Sequence, residues 1–401
     1  MNPALRADFP LLERTLDGRP LVYLDSAATA LKPRAVLAAE EAYATQMTAN
    51  VHRGKHALSE EASAAYESAR KRIARFFNAD PECLVFVKNT TEAINLVAVG
   101  LCLSSDDVVL NAGGEHHANL VPWMRRARVE LVPGDPCEPV SLDAAMAAIA
   151  RHRPKVLAIG HASNITGVIQ PARALCEMAR AHGVITVVDA AQSAPHLPID
   201  VDEMGCDFLA LSAHKMLGPT GVGALVGRRE VLEALEPLCV GGGVVERVTA
   251  TGYTLKKIPY RFEAGTPPIS AALGFAAAAS YLDELGFDDI VEHERRLAAA
   301  LSRSLCEIPG VEVLMARREP RLAIAAIAPR SALVGPDALA RLLSDGHQIM
   351  VRSGFHCAHP LFDRLGLDHG ALRASAYVYN TVEEVQRFGE VLRDLASRMV
   401  V

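Results

Sequence analysis

Leu211-Ser212-Ala213-His214-Lys215 places a hydroxyl, an imidazole and an amine at the end of the apolar, strand-like run Asp207–Leu211. Val188-Asp189-Ala190-Ala191-Gln192 follows a second such run, Gly183–Val188. Strand ends that face a crevice are where open α/β sheets bind ligands. A lysine there suits a Schiff base with a phosphorylated aldehyde, and an aspartate on a neighbouring strand end suits a protonated pyridine nitrogen. Pyridoxal phosphate chemistry needs both groups. A lone lysine after a strand is ordinarily a solvated loop residue, so this pair alone does not decide between the two readings.

Other segments carry compatible chemistry. Lys88-Asn89-Thr90-Thr91-Glu92-Ala93 opens a helical run after Leu84–Val87. Hydroxyls and free amides at a helix start suit a phosphate, the alternative being an ordinary N-cap; Ser212 and His214 could add contacts. Glu115-His116-His117-Ala118-Asn119 follows another strand end. One imidazole there could lie flat on a cofactor ring and shuttle protons; adjacent histidines point in different directions, so only one can. The alternatives are a surface loop or a metal site, but no carboxylate or cysteine stands at metal-ligand spacing. After the run Val156–Ile159, Asn164 offers an amide to a substrate or cofactor oxygen. Arg352-Ser353-Gly354-Phe355-His356-Cys357-Ala358 sets a cation, a glycine and a histidine before a cysteine. Nearby cations raise a thiol's thiolate fraction, which favours a reactive thiol over a buried structural one. Arg373 lies in an apolar strand-like segment, where its planar fork suits a substrate carboxylate or a structural ion pair. The turn-forming segment Arg261–Pro267 carries Gly265 and Thr266, which could also touch a phosphate.

These residues need a scaffold. Strand-like runs at Cys83–Val87, Asp107–Leu110, Val129–Val132, Val156–Ile159, Ile185–Val188, Phe208–Leu211 and Ala224–Val226 alternate with amphipathic helices such as Ala172–His182, closed by Gly183. That alternation predicts an α/β fold with a mostly parallel sheet. A charged helix over Asp288–Glu307 then leads to shorter α+β segments. The expected division is a large domain over 20–286 and a smaller α+β domain formed by 1–19 and 287–401. At 401 residues the chain is long enough for two domains. A net charge of -6 argues against nucleic-acid binding. The start lacks a signal-peptide core, and the apolar stretch Ile269–Leu282 is too short to span a bilayer, which predicts a buried helix. The eight cysteines form no C-x-x-C pair. They read as reduced cytoplasmic thiols, most of them in the core, with Cys357 the exception.

Together the blocks Tyr23-Leu24-Asp25-Ser26-Ala27-Ala28, Val51-His52-Arg53-Gly54, Thr90-Thr91-Glu92, Glu115-His116-His117-Ala118-Asn119, Asp189-Ala190-Ala191-Gln192, His214-Lys215, Phe262-Glu263-Ala264-Gly265-Thr266-Pro267, Arg352-x-Gly354-x-His356-Cys357-Ala358 and Tyr379-Asn380-Thr381 span almost the whole chain. In these the chain resembles the group II (SufS/CsdA-like) cysteine desulfurases of the class V aminotransferase family. The resemblance implies a type I pyridoxal phosphate fold with a seven-stranded large-domain sheet. It implies that Lys215 holds the cofactor and takes the substrate's Cα proton, Asp189 pairs with the ring nitrogen, and Gln192 bonds the ring oxygen. His116 would stack on the ring as acid/base. Thr91, Ser212 and His214 would hold the phosphate, joined by Thr266 from the second subunit of a homodimer. Asn164 and Arg373 would hold the substrate carboxylate, with Arg352 beside the loop of Cys357, which would take the sulfur as a persulfide and release alanine. The substrate implied is L-cysteine, with L-selenocysteine as a rival. The implied sulfur acceptor is a SufE-like or SufU-like protein serving iron–sulfur clusters or another sulfur pathway. Neither nucleic acid nor membrane is expected as a partner. Another class V reaction, such as epimerisation or transamination, and a non-catalytic sulfur carrier are the alternatives. The chain departs from the pattern at Phe355, at Lys88-Asn89, and at Val244-Val245-Glu246-Arg247 after the glycines 241–243.

Overall fold

The computed structural model describes residues 3–112, 114–306, 308–330 and 334–399. Seven strands form the large sheet: β1 (Leu84–Val87), β2 (Val108–Ala112), β3 (Arg128–Val132), β4 (Val156–Gly160), β5 (Ile185–Asp189), β6 (Phe208–Ser212) and β7 (Gly223–Gly227). Their order is β1-β7-β6-β5-β4-β2-β3. Every ladder is parallel except the two made by β7. This is the mostly parallel sheet expected from the alternation of runs. The ends differ by a residue or two. Cys83, expected in the first strand, ends a 3-10 turn over Pro81–Cys83 instead, because Asp80 caps that turn by accepting from the Glu82 amide.

Helices α1 (Ala57–Phe76), α2 (Thr90–Gly100), α3 (Leu142–His152), α4 (Ala172–Ala181) and α5 (Ile269–Leu285) cover the sheet. Apart from the edge strand β3, which is partly exposed, the strands bury both faces, and side chains alternate between them with period two. Val85, Val87, Val187, Phe208 and Leu225 point to the layer of α2 and Trp123. Leu84, Phe86, Val188, Leu209 and Val226 point to the layer of α1 and α5. Leu110, Leu157 and Ile159 meet α3 and α4. A one-residue slip in any strand would exchange the two layers, so the register of each strand is fixed by packing. Gly183, at φ +69°, ends α4 as expected, donating to the Arg180 carbonyl.

The second sheet contains β8 (Val311–Leu314), β9 (Ile324–Pro329), β10 (Arg352–Gly354) and β11 (Ala371–Ser375), all antiparallel, in the order β8-β9-β11-β10. One face carries Ala325, Ile327, Leu372 and Ala374 against α6 (Phe287–Leu305), α7 (Pro336–His347) and α9 (Val382–Met399). Helix α6 is the charged helix expected from Asp288; Glu307, its expected end, lies outside the described residues. The other face packs Ala326, Ala328 and Ala371 on Leu361 and Phe362 of α8 (His359–Leu365) and on Ile165, which follows β4. That contact presses the segment between β10 and α8 onto the C-terminal edge of the large sheet. The N-terminal segment serves both parts. Phe9 packs with Phe275 and Tyr379, and Val22–Tyr23 pairs in parallel with Ile349–Met350. Among the described residues no helix is long and apolar enough to cross a membrane. The stretch Ile269–Leu282 is the buried helix α5.

Candidate active site

Because β1, β2, β4, β5 and β6 run the same way, their C-terminal ends meet at one edge. A cavity of about 460 Å³ lies there. The large sheet lines it with Thr91, His116, Asn164, Asp189, Gln192, Ser212, His214 and Lys215, and the second sheet adds Arg352, Cys357 and Arg373. Only Thr266, of the residues expected at the site, lies elsewhere. It lines a separate cavity of about 220 Å³ with Asn50, His52, Arg53, Lys256 and Tyr260.

Asp189 ends β5 in register with Gly160 of β4 and Ala210 of β6. It is buried, and one carboxylate oxygen accepts from the Ala191 amide at 2.9 Å. Burial raises its pKa, and the Lys215 ammonium opposes that rise. Lys215 follows β6 in a 3-10 turn over Ala213–Lys215. Desolvation lowers its ammonium to about 8, against the pull of Asp189. A lysine so depressed is partly a free amine near neutral pH, the form that attacks an aldehyde. Gln192 donates from Nε2 to the Ala27 carbonyl at 2.8 Å, and its Oε1 is buried without a partner.

The start of α2 meets the end of β6. The Thr90 amide donates to Ser212 Oγ at 2.8 Å, the two hydroxyls lie 2.7 Å apart, and Asn89 caps the helix by accepting from the Glu92 amide. Thr91 is exposed in the first turn of this eleven-residue helix and faces the cavity. Hydroxyls and free amides at a helix start favour an anion. His214 stands beside them. Burial first, and then Lys215, lowers its pKa to about 4, so it is neutral and keeps one N–H to donate.

His116 follows β2. Its Nδ1 accepts from the Ala118 amide at 3.0 Å, which places its proton on Nε2. Burial, with Lys215 adding, lowers its pKa to about 3. Glu115 ties this loop to the sheet: its carboxyl accepts from the Gly160 amide and from Asn119 Nδ2, each at 2.8 Å. Burial pushes that acid up to about 8. The motif Glu115–Asn119 singled out His116 but assigned Glu115 no part.

Cys357 is exposed at the cavity, in a segment where Gly354, His356 and Cys357 have φ of 110°, 47° and 58°. Asn164 Nδ2 donates to the His356 carbonyl at 2.9 Å. Arg373 is 3% exposed. It donates from Nη1 to the Asn164 carbonyl at 3.2 Å and from Nη2 to Asp25 at 3.1 Å, and its Nε–H is buried without a partner. The ion pair and the open donor therefore coexist in one guanidinium. Sequence reading missed Asp25 as the partner of Arg373, although Asp25 stood in a quoted block. Its signal is the isolated bridge Asp25–Ser375, which pairs segments 350 residues apart and leaves no local pattern. The expectation that most cysteines sit in the core holds for four: Cys83, Cys137, Cys176 and Cys206 are buried, and Cys102, Cys239, Cys306 and Cys357 are exposed. The three further exposed ones follow from position, since Cys102 and Cys306 stand just past the ends of α2 and α6 and Cys239 in a loop. Among the described residues no three His, Cys, Asp or Glu side chains are placed to hold a metal ion.

The donor set fits pyridoxal phosphate. The cavity offers an amine, a buried carboxylate and a hydroxyl-rich helix start, and Gln192 and Arg373, which also line it, each keep one buried polar atom without a partner. The family description Aminotransferase class-V matches residues 22–388. A probable cysteine desulfurase of Halalkalibacterium halodurans is 40% identical over 96% of this chain and 95% of its own length. Probable cysteine desulfurase 2 of Mycobacterium leprae is 41% identical over 98% and 96%. Among solved structures, the apo cysteine desulfurase of Thermococcus onnurineus NA1 superposes with a TM-score of 0.91 at 38% identity, covering 98% of each chain. The cysteine desulfurase CsdA of Escherichia coli, in its S-sulfonic acid form, gives 0.87 at 35% identity, covering 100% of this chain and 98% of its own. The chain belongs to the class V aminotransferase family, whose cofactor is pyridoxal phosphate.

Proposed function

We propose that this protein is an L-cysteine desulfurase that moves sulfur from L-cysteine to Cys357 and releases L-alanine. One observation carries the reading: the exposed Cys357 thiol shares a cavity with Lys215, Asp189 and Arg373. Lys215 would hold the cofactor covalently, Asp189 would pair with its ring nitrogen, and Gln192 would donate to its ring oxygen through the Nε2 hydrogen not used on the Ala27 carbonyl. Thr91, Ser212 and His214 take the phosphate. Bound pyridoxal phosphate supplies an electron sink for the charge left when the amino acid loses its Cα proton.

The chain's own residues do the rest. Arg373 and Asn164 hold the substrate carboxylate, Arg373 through the Nε–H that the fold leaves unpartnered. Lys215 takes the Cα proton, which its depressed pKa suits near neutral pH. His116, neutral and protonated at Nε2, would stack on the cofactor ring as acid/base. The Cys357 thiolate attacks the substrate sulfur, and an S–S bond forms as the Cβ–S bond breaks. The carbon takes a proton and leaves as alanine, and the sulfur stays on Cys357 as a persulfide. No external oxidant or reductant is needed.

The surrounding organisation follows the same reading. Residues 20–286 hold the cofactor, and 1–19 with 287–401 form a smaller unit carrying Cys357. Thr266 lies outside the Lys215 cavity, among His52, Arg53 and Lys256. Glu263 lines the same cavity but is paired with Arg70, which leaves Arg53 and Lys256 beside the Thr266 hydroxyl for the phosphate end of a second subunit's site and supports a homodimer. A carrier protein of the SufE-like or SufU-like kind takes the sulfur in the cytoplasm, for iron–sulfur clusters or another sulfur pathway. The test is to incubate the protein with L-cysteine and a thiol and to measure alanine and sulfide together. Equal amounts of both support the reading; neither product from cofactor-loaded protein overturns it.

A further inference from the structure

We propose that His117 and His359 form a clasp that holds the Cys357 loop against the cavity, and that both are positioning residues for sulfur capture. The proposal rests on the desulfurase reading above. It begins from the loop's backbone. His356 and Cys357 are consecutive non-glycine residues in the left-handed region, at φ 47° and 58°. L-residues adopt that conformation at a cost and keep it only where neighbouring groups impose it.

Three hydrogen bonds impose it here. His356 Nε2 lies 2.9 Å from the Ala371 carbonyl. Asn164 Nδ2 donates to the His356 carbonyl at 2.9 Å. The His117 amide donates to the carbonyl of Cys357 itself at 2.7 Å. This last bond joins the reacting residue directly to the loop that carries His116.

The ring of His117 is in turn fixed by residues flanking Cys357. Its Nε2 accepts from the His359 amide at 3.2 Å and lies 3.3 Å from His359 Nδ1. The two rings stack with centroids 5.0 Å apart and planes at 15°. Phe355 stacks on His359 at 4.3 Å and 21°. Phe355 also meets the buried Phe362 edge-on at 5.7 Å. Residues 355 and 359, on either side of the thiol, are thereby bound in one stack to the neighbour of His116. Because Nε2 of His117 accepts, its proton sits on Nδ1 and the ring is neutral. Burial first, and then the neighbouring His359, lowers its pKa and keeps it so. The stack closes a loop that would otherwise relax, and it sets how far Cys357 reaches toward the substrate sulfur.

The test compares cofactor-loaded wild type, His117→Ala, His359→Ala, the double variant and His117→Gln. His359 is exposed, so its variant does not depend on core packing. In a single turnover with L-cysteine, alanine formation should slow by about tenfold or more in each alanine variant. The KM for cysteine and the cofactor absorbance should stay within about twofold. The double variant should be no slower than the slower single one, as for residues acting as a unit. His117→Gln, whose amide oxygen can reach the place of Nε2, should recover most of the rate. In cofactor-free protein, amide hydrogen exchange in the 352–362 peptide should quicken in His117→Ala. Wild-type rates in both alanine variants, or a raised KM at unchanged kcat, overturn the clasp. A wild type that makes no alanine refutes the desulfurase reading instead; hydrogen exchange then decides the clasp alone, and unchanged exchange overturns it.

Discussion

Arg373→Lys isolates geometry from charge at the substrate carboxylate. The guanidinium has two donors engaged and one open: Nη1 on the Asn164 carbonyl, Nη2 on Asp25, and an unpartnered Nε–H. A lysine ammonium delivers its donors from a single point. Once its Nζ reaches Asp25, it cannot also span the Asn164 carbonyl and the substrate carboxylate. The variant thus loses at least one charge-assisted bond to substrate, worth about 1.5–3 kcal/mol. That converts to a roughly 10- to 150-fold rise in KM for L-cysteine. The assay is alanine formation across a cysteine series, with cofactor content and melting temperature measured on the same samples. These controls matter because a buried cation that loses partners also costs stability. A KM within about twofold of wild type at full cofactor content would refute the assignment and leave Arg373 as a structural partner of Asp25.

Three further outcomes are expected. Cys357→Ala should still change the cofactor spectrum on adding cysteine but release almost no sulfur, and mass spectrometry of the wild type should find the extra sulfur on Cys357; finding it on another cysteine overturns that role. Cofactor attachment to Lys215 should quicken as pH rises through about 8, because the depressed pKa frees the amine over that range; a rate that is flat across it contradicts the desolvated lysine. Mixed Lys215→Ala and Thr266→Ala proteins should regain activity through heterodimers with one intact site; none after proven subunit exchange shows that Thr266 serves its own subunit.

The sheet and most of the cavity were legible because their signals are local. Strand-length apolar runs ended at Val188, Leu211 and Ile159, and the polar groups after them fell at one edge once the strands ran parallel. Cys357 announced itself by its glycine and arginine neighbours. What the sequence hid depends on contacts between distant segments. Asp25 meets Arg373 only because the N-terminal segment bridges to Ser375. The stack of Phe355, His359 and His117 needs α8 packed against the loop after β2. Glu115 takes one donor from Asn119 within its own motif, but the other is the Gly160 amide at the end of β4, which no local pattern places beside it. Thr266, which the resemblance assigns to a second subunit's site, lines a different cavity from Lys215 of its own chain.

Gly223 has a bearing on how the chain assembles. It starts β7, paired with Val87 on one side and Ser212 on the other. A Cβ there would lie 2.4 Å from the Leu211 carbonyl oxygen and 3.0 Å from Asn89 Cα. The bare backbone lets the Thr90 and Ser212 hydroxyls meet across the strand. The phosphate cradle therefore cannot exist until β7, from far along the chain, has slid between β1 and β6. Such long-range pairing is slow to form, and until it does both neighbouring strands keep an open edge. Trp123, the single tryptophan, is buried in the layer against this sheet and reports its closure by fluorescence. In refolding, cofactor absorbance should trail the Trp123 signal and never lead it. A chain stalled before β7 docks has no seat for the phosphate and two bare strands to offer another molecule, so a chain that has captured its cofactor has already closed the edges by which it could aggregate.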